Sequence, residues 1–198
     1  LCRREGMQLF LKGDRCYTAK CPIQTGRPAP GMHGARRRKM SDYGMQLREK
    51  QRLRRLYGMQ EGPFRRLFEK ASSQRGVTGE TLLQMLEMRL DSVVRRAGFA
   101  PSHQAARQFV RHGHITVNGR KVDIPSAQLK AGDRVEVRRR ERSREYAKQF
   151  MDSVEMRGVT PWLSVDKENF RCEVLHVPGR DEIAPIVNEQ LIVELYSK

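Results

Sequence analysis

The sequence predicts an α+β protein. It is mostly helical, carries two helices and a small antiparallel sheet in its middle, and begins with an extended segment. Three observations predict this. Leu82, Leu83, Leu86, Leu90, Val93, Val94 and Ala97 recur every three or four residues, as one face of a helix requires. His112 to Ile124 reads as strand, turn and strand, because β-branched residues flank Asn118-Gly119, the pair favoured where both central turn residues need positive φ. Residues 1–40 set Pro22, Pro28, Pro30, Gly31 and Gly34 among charges, a composition that forms little regular structure.

The elements follow in order. Ser41-Asp42 can cap a helix that Gly58 ends. On a helical wheel Tyr43, Leu47, Leu53, Leu56 and Tyr57 spread over one half, and Arg48, Arg52 and Arg55 fall on the other, with Lys50 and Arg54 among the apolar positions. A short helix is expected over Pro63 to Lys70, and one long helix from Thr78 to Gly98. Ser102 is placed to cap a helix from His103 to His112, buried through Ala106, Phe109 and Val110; His103, Arg107 and Arg111 recur every four residues on another face. After the hairpin, Gln128 to Val137 gives a turn and a strand. A helix over Arg144 to Met156 and strands over Pro161 to Asp166, Phe170 to Val177 and Gln190 to Tyr196 complete the expectation.

Charge narrows the partner class. Lys and Arg number 39 against 23 Asp and Glu, for a net +16. The excess is uneven: residues 1–88 hold 19 basic and 8 acidic side chains, 89–123 hold 7 and 2, and 124–198 hold 13 of each. Such a field attracts polyanions, and no apolar run approaches the roughly 20 residues that span a bilayer, so nucleic acid is the expected partner and a membrane is not. The chain opens Leu-Cys-Arg-Arg with no initiator Met, signal core or transit composition, which reads as a cytosolic protein lacking its first few residues.

The middle of the chain collects this charge on a rigid frame. A helix ending in Arg95-Arg96, a second offering Arg107 and Arg111, and a hairpin tipped with Asn118, Arg120 and Lys121 would form one basic surface. Fixed Arg and Lys groups suit double-stranded RNA, which is read by shape and backbone contacts. His112 and His114 flank a glycine without local acidic partners and suit loop or stacking roles rather than catalysis. No phosphate-binding glycine loop, hydrolase elbow or paired-carboxylate constellation appears.

Particular stretches carry a resemblance. MRLDSVVRRAGFA (88–100), ARQFVRHGHITVNGRKVDIPS (106–126) and KAGD (130–133) resemble the S-four RNA-binding module. The flanks HGAR (33–36), SDYGMQLREKQRLRRLYG (41–58), PWL (161–163) and VNEQLIVELYSK (187–198) resemble the family of the fourth protein of the bacterial small ribosomal subunit, and the resemblance runs the whole length. It implies three domains: a basic N-terminal segment over 1–40, a helical domain over 41–87 and 139–198, and an inserted module over 88–138. It implies a structural constituent of the subunit and primary binder of small-subunit (16S) rRNA that nucleates assembly, lies near the channel by which mRNA enters, contributes to translational accuracy, touches neighbouring ribosomal proteins, especially the fifth, and in some members binds its own mRNA. Mapped onto this chain, Arg36, Arg37, Arg38 and Lys39 match a basic stretch near incoming messenger. Tyr43, Arg48, Lys50, Arg52, Arg54 and Arg55 match rRNA contacts, as do Arg95, Arg96, Arg107, Arg111, His112, His114, Asn118, Arg120 and Lys121 in the module. The C-terminal strand matches a region that helps form protein contacts.

Cys2, Cys16 and Cys21 have the spacing C-x13-C-x4-C, and zinc-carrying members of the family resemble C-x2-C-x13-C-x4-C, whose first ligand would lie upstream of Leu1. Four thiolates would tie down a segment poor in apolar residues, with Zn2+ the expected metal and an iron–sulfur cluster the alternative. His33 could substitute for the fourth ligand but falls in the Pro-Gly-x-His-Gly turn, and Cys172 reads as a core residue. A stand-alone RNA chaperone carrying the same module would not be expected to share both flanks. Pseudouridine synthases carry it beside a catalytic Asp in a Gly-Arg-Leu-Asp context; Arg89-Leu90-Asp91 fits only superficially, and Asp91 reads as a structural helix residue.

Overall fold

The computed structural model describes all residues except 35–38, 152–159, 185–186 and 198. Two compact units emerge, Leu1–Thr81 with Pro185–Lys198, and Leu82–Ala184.

In the first unit, α1 (Cys2–Glu5) and a 3-10 turn (Gly13–Tyr17) give the N-terminal segment more order than its composition predicts. Its anchors are Leu9, Cys16 and Cys21, all buried. Helix α2 (Asp42–Leu56) starts where expected, with Ser41 Oγ accepting from Gly44 N at 3.2 Å, and α3 (Glu61–Ser72) buries Phe64, Phe68 and Ala71. The last element is a correction: Glu189–Tyr196 is a helix, α8, and not a strand. Its β-branched pair Ile192-Val193 gives a strand signal, but Asn188 caps the helix by accepting from Gln190 N at 3.1 Å, and α8 packs on α2 with Ile192 fully buried. Gln46 donates to Glu194 at 3.0 Å, and the Tyr196 ring stacks on Phe68 at 4.5 Å. Tertiary packing overrides local propensity here.

Helix α4 (Thr78–Glu87) leads into the second unit. The single long helix expected to reach Gly98 is instead broken at Met88 and Arg89, and α5 spans Leu90–Arg96. The cause is backbone pairing with a distant loop. Leu90 N donates to Ala127 O at 2.9 Å, Asp91 N to Pro125 O at 3.1 Å, and Leu129 N to Met88 O at 2.9 Å, while Arg89 adopts an extended conformation (ψ 142°). Apolar periodicity survives the break because Met88 and Leu90 still point into the core.

Helix α6 (His103–Arg111) precedes β1 (Ile115–Val117) and β2 (Arg120–Lys121), and β3 is Arg134–Val137. Helix α7 covers Glu141–Met151, starting before the expected Arg144; the rest of the expected helix lies outside the described residues. Strands β4 (Leu163–Asp166) and β5 (Arg171–Val174) follow. All five strands form one antiparallel sheet in the order β2-β1-β3-β5-β4. In register, Val135 lies between Val117 and Cys172, and Leu163 faces Val174. Direct β3–β5 pairing joins β5, and through it β4, to the sheet of the central hairpin. One core contains Phe99, Val110, Ile115, Val135, Ala147, Trp162 and Cys172. Burial pushes the Cys172 thiol up to about 12, in keeping with a packing role.

Candidate nucleic-acid interface

The exposed basic surface of the second unit begins on α6. Ser102 Oγ accepts from Ala105 N at 3.3 Å and fixes the helix start. Ala106, Phe109 and Val110 are buried, which turns Arg107, Arg111 and the following His112 outward. His103, expected beside them, is instead buried, with its Nε2 3.4 Å from Arg95 Nη1. Gly113 (φ 73°) ends the helix and Asn118 (φ 50°) with Gly119 (φ 79°) turns the hairpin, as Asn-Gly predicts. The Asn118 side chain is exposed yet bonded to the next strand: Nδ2 donates to Asp133 Oδ1 at 2.8 Å and Oδ1 accepts from Arg134 N at 2.9 Å. It braces the hairpin while Arg120 and Lys121 remain exposed.

Beside the hairpin, Thr116, Lys121, Glu136, Val137, Arg138 and Arg139 line an open groove of about 410 Å³. Arg138 is held by donation from Nη1 to Gly113 O at 3.2 Å. Arg138 and Arg139 therefore stand beside the hairpin, although the motif reading selected neither. Their signal was the basic run at 138–144, whose place beside the hairpin depends on the β1–β3 pairing. His114 is half-buried; burial, then His112, Arg140 and Arg138, lower its pKa below the usual 6.5, so the ring is neutral at pH 7. Arg95 and Arg96 are also half-buried, and Arg96 is paired with the buried Glu87 (Nε to Oε2, 3.0 Å).

In the first unit most of the expected cations hold the fold together. Arg48 donates to Glu5 Oε1 at 3.3 Å, Arg55 donates to the same oxygen, and Arg52 Nη2 donates to Glu5 O at 3.1 Å. Glu5 is 3% exposed, so three arginines of α2 clasp a buried carboxylate of the N-terminal segment. Lys50 is buried, bonded to Glu61 Oε1 at 2.5 Å and set 5.6 Å from the Tyr196 ring centre. Arg54 bonds Gln51 and the Met59 carbonyl. Tyr43 and Lys39 are exposed, and Arg36, Arg37 and Arg38 lie outside the described residues.

Cys16 and Cys21 are buried and Cys2 is half-buried. Lys12 N donates to Cys16 Sγ at 3.3 Å and Gln8 Nε2 to Cys21 Sγ at 3.4 Å. Backbone N–H donation from Ile23 holds the Cys21 thiol below its usual pKa, against the upward push of burial, aided by Gln24 and Gln8. This donor set fits thiolates, yet among the described residues no group of three or more ligating side chains converges on a point that could hold a metal ion.

Of the expected cations, those exposed among the described residues are Lys39 in the first unit and Arg107, Arg111, Arg120 and Lys121 in the second. Comparison with known proteins bears on what this frame is. Residues 1–87 match the family model for the ribosomal protein S4/S9 N-terminal domain, and residues 88–135 match that of the S4 domain. Over all 198 residues the chain is 53% identical to the small ribosomal subunit protein uS4 of Acidithiobacillus ferrooxidans, covering 95% of that protein. It is 55% identical to uS4 of Geobacter metallireducens and 52% identical to uS4 of Thermus thermophilus, at the same coverage of both chains. The chain belongs to the uS4 family of small ribosomal subunit proteins. This is the family that the motifs at 33–58, 88–133 and 187–198 resemble. As a uS4 protein it is an RNA-binding, structural protein and not an enzyme. Among the described residues no helix is long and apolar enough to cross a membrane.

Proposed function

We propose that this chain is a structural constituent of the cytoplasmic small ribosomal subunit and a primary binder of 16S rRNA, which nucleates assembly by fixing an RNA junction. The observation that carries the mechanism is that Arg107 and Arg111 stand exposed on α6, and that Lys121 of the hairpin and the Arg138 guanidinium both meet Gly113, just past the end of that helix. Charge captures the RNA backbone, and the fixed spacing of the cations selects its shape; no chemical step is involved. The module over 88–138 carries this contact.

The finer roles rest on family membership and on placement. The stretch Arg36, Arg37, Arg38 and Lys39 is read as facing incoming mRNA, with an influence on accuracy. Neighbouring ribosomal proteins, the fifth above all, are the expected protein partners, α8 belongs to the contacting region, and the protein's own mRNA is a further RNA ligand. Cys2, Cys16 and Cys21 are read as zinc ligands together with a fourth; their spacing and the N–H donors at Cys16 and Cys21 support this. Bound zinc would supply a cross-link and no reactivity.

The test is binding of the chain to 16S rRNA and to an unrelated structured RNA across a salt series. A preference for rRNA that persists at high salt supports shape-specific assembly. Equal, salt-labile binding to both would favour the RNA-chaperone alternative.

A further inference from the structure

Where the end of α6 meets the start of β1 and the first turns of α7, the second unit has an open cleft of about 240 Å³. Gln108, Phe109, His112, His114, Arg142 and Tyr146 line it. Its wall is a series of stacked rings: Phe109 lies on His114 at 4.8 Å with 13° between planes, and on Tyr146 at 5.0 Å. The rings are fixed from behind. Phe109 belongs to the core, the Tyr146 ring meets Phe150 edge-on at 5.1 Å, and His114 Nδ1 is 2.9 Å from the oxygen of the buried Ser143. His114 and Tyr146 are nevertheless only half-buried, while His112 and Arg142 stand exposed at the rim.

We propose that this cleft receives a single unpaired nucleobase of the bound RNA, stacked against Tyr146 and His114, with the adjoining phosphate held by Arg142. The inference rests on the RNA-binding reading above and deepens it. A paired base offers no free face, whereas an unpaired one can be splayed onto aromatic rings beside an arginine. The neutral His114 ring presents a flat, weakly solvated surface, and the cations at the rim suit a ligand that carries phosphate. The cleft is smaller than the roughly 300–1,000 Å³ of a typical small-molecule site. Exposed Glu141 and Glu145 belong to the same helix but do not line the cleft.

The test uses the full chain and two short probes, a strand of abasic sugar-phosphate units with one central 2-aminopurine and the same strand with none. The base should raise affinity about tenfold, within the range measured for base–aromatic stacking, and its fluorescence should be quenched on binding. Tyr146→Leu removes the ring, and Gln108→Trp fills the cleft from an exposed position. In either variant, with unchanged circular dichroism, the base should lose its advantage. If the wild-type chain binds both strands equally and with steep salt dependence, or if the variants leave the advantage intact, the cleft is not a base site and the RNA-binding reading stands. If neither strand binds at low salt, both fall.

Discussion

Arg89 and Asp91, two residues apart, form a buried bidentate ion pair: Nε donates to Oδ1 at 2.9 Å and Nη2 to Oδ2 at 2.7 Å. The residues are 4% and 2% exposed, and the pair sits at the break between α4 and α5. In a dry site each charge is tolerated because the other is there. Asp91→Ala should therefore cost about 3–5 kcal/mol in denaturant unfolding, through the stranded guanidinium, whereas replacing both residues with apolar ones of similar size should recover most of that loss. A loss below about 1 kcal/mol would mean that the pair does not hold the break.

That pair also shows what the sequence could and could not reveal. Arg-Leu-Asp looks superficially like a synthase motif, and the apolar spacing around it looks like one continuous helix. Both impressions are local, and the hydrogen bonds that decide the matter come from Pro125, Ala127 and Leu129, more than thirty residues away. The hairpin was legible because Asn118-Gly119 encodes its own turn, and the start of α2 because Ser41 caps it. At α8 the β-branched signal lost to packing against α2. For the site, Arg107 and Arg111 were legible from the buried spacing of Ala106, Phe109 and Val110. Lys50 and Arg55 look like their exposed counterparts in sequence, and only the fold shows that Glu61 and Glu5 engage them.

Glu5 links the N-terminal segment to α2 within the first unit. Glu5→Ala should leave Arg48, Arg52 and Arg55 without their shared carboxylate and destabilise the protein by about 3 kcal/mol. Trypsin should then cut at Arg3, Arg4 or Arg15 well before it cuts the module, read by mass spectrometry. Unchanged cleavage kinetics would show that the clasp does not anchor the segment.

His103 gives stability a pH dependence. Burial first, then Arg95, Arg96 and Arg89, hold its pKa well below 6.5. The native state keeps the ring neutral, while the unfolded chain takes up a proton as pH falls below 6.5. This contribution is complete above 6.5 and is lost progressively on acidification below it, with a limiting slope of about 1.4 kcal/mol per pH unit. His114 is lowered in the same sense and adds to the slope. His103→Gln should flatten the dependence measured by thermal unfolding; an identical slope would contradict the buried, neutral assignment.

For the cysteines, stoichiometric zinc by elemental analysis is expected in the purified protein. Cys16→Ser with Cys21→Ser, or a strong chelator, should remove it and make the N-terminal segment more sensitive to protease, while the second unit melts unchanged. A metal-free protein with an equally protected segment would leave Cys16 and Cys21 as packing residues.

A fixed basic surface on α6 and the hairpin should contact the rRNA backbone, and the salt dependence of binding reports that contact. The affinity of the wild-type chain and of Arg107→Ala/Arg111→Ala for 16S rRNA would be measured across a salt series, with circular dichroism confirming the fold. Losing two phosphate contacts should weaken binding at every salt concentration and reduce the slope of log affinity against log salt by about two. An unchanged slope and affinity would place the RNA on another face of the protein.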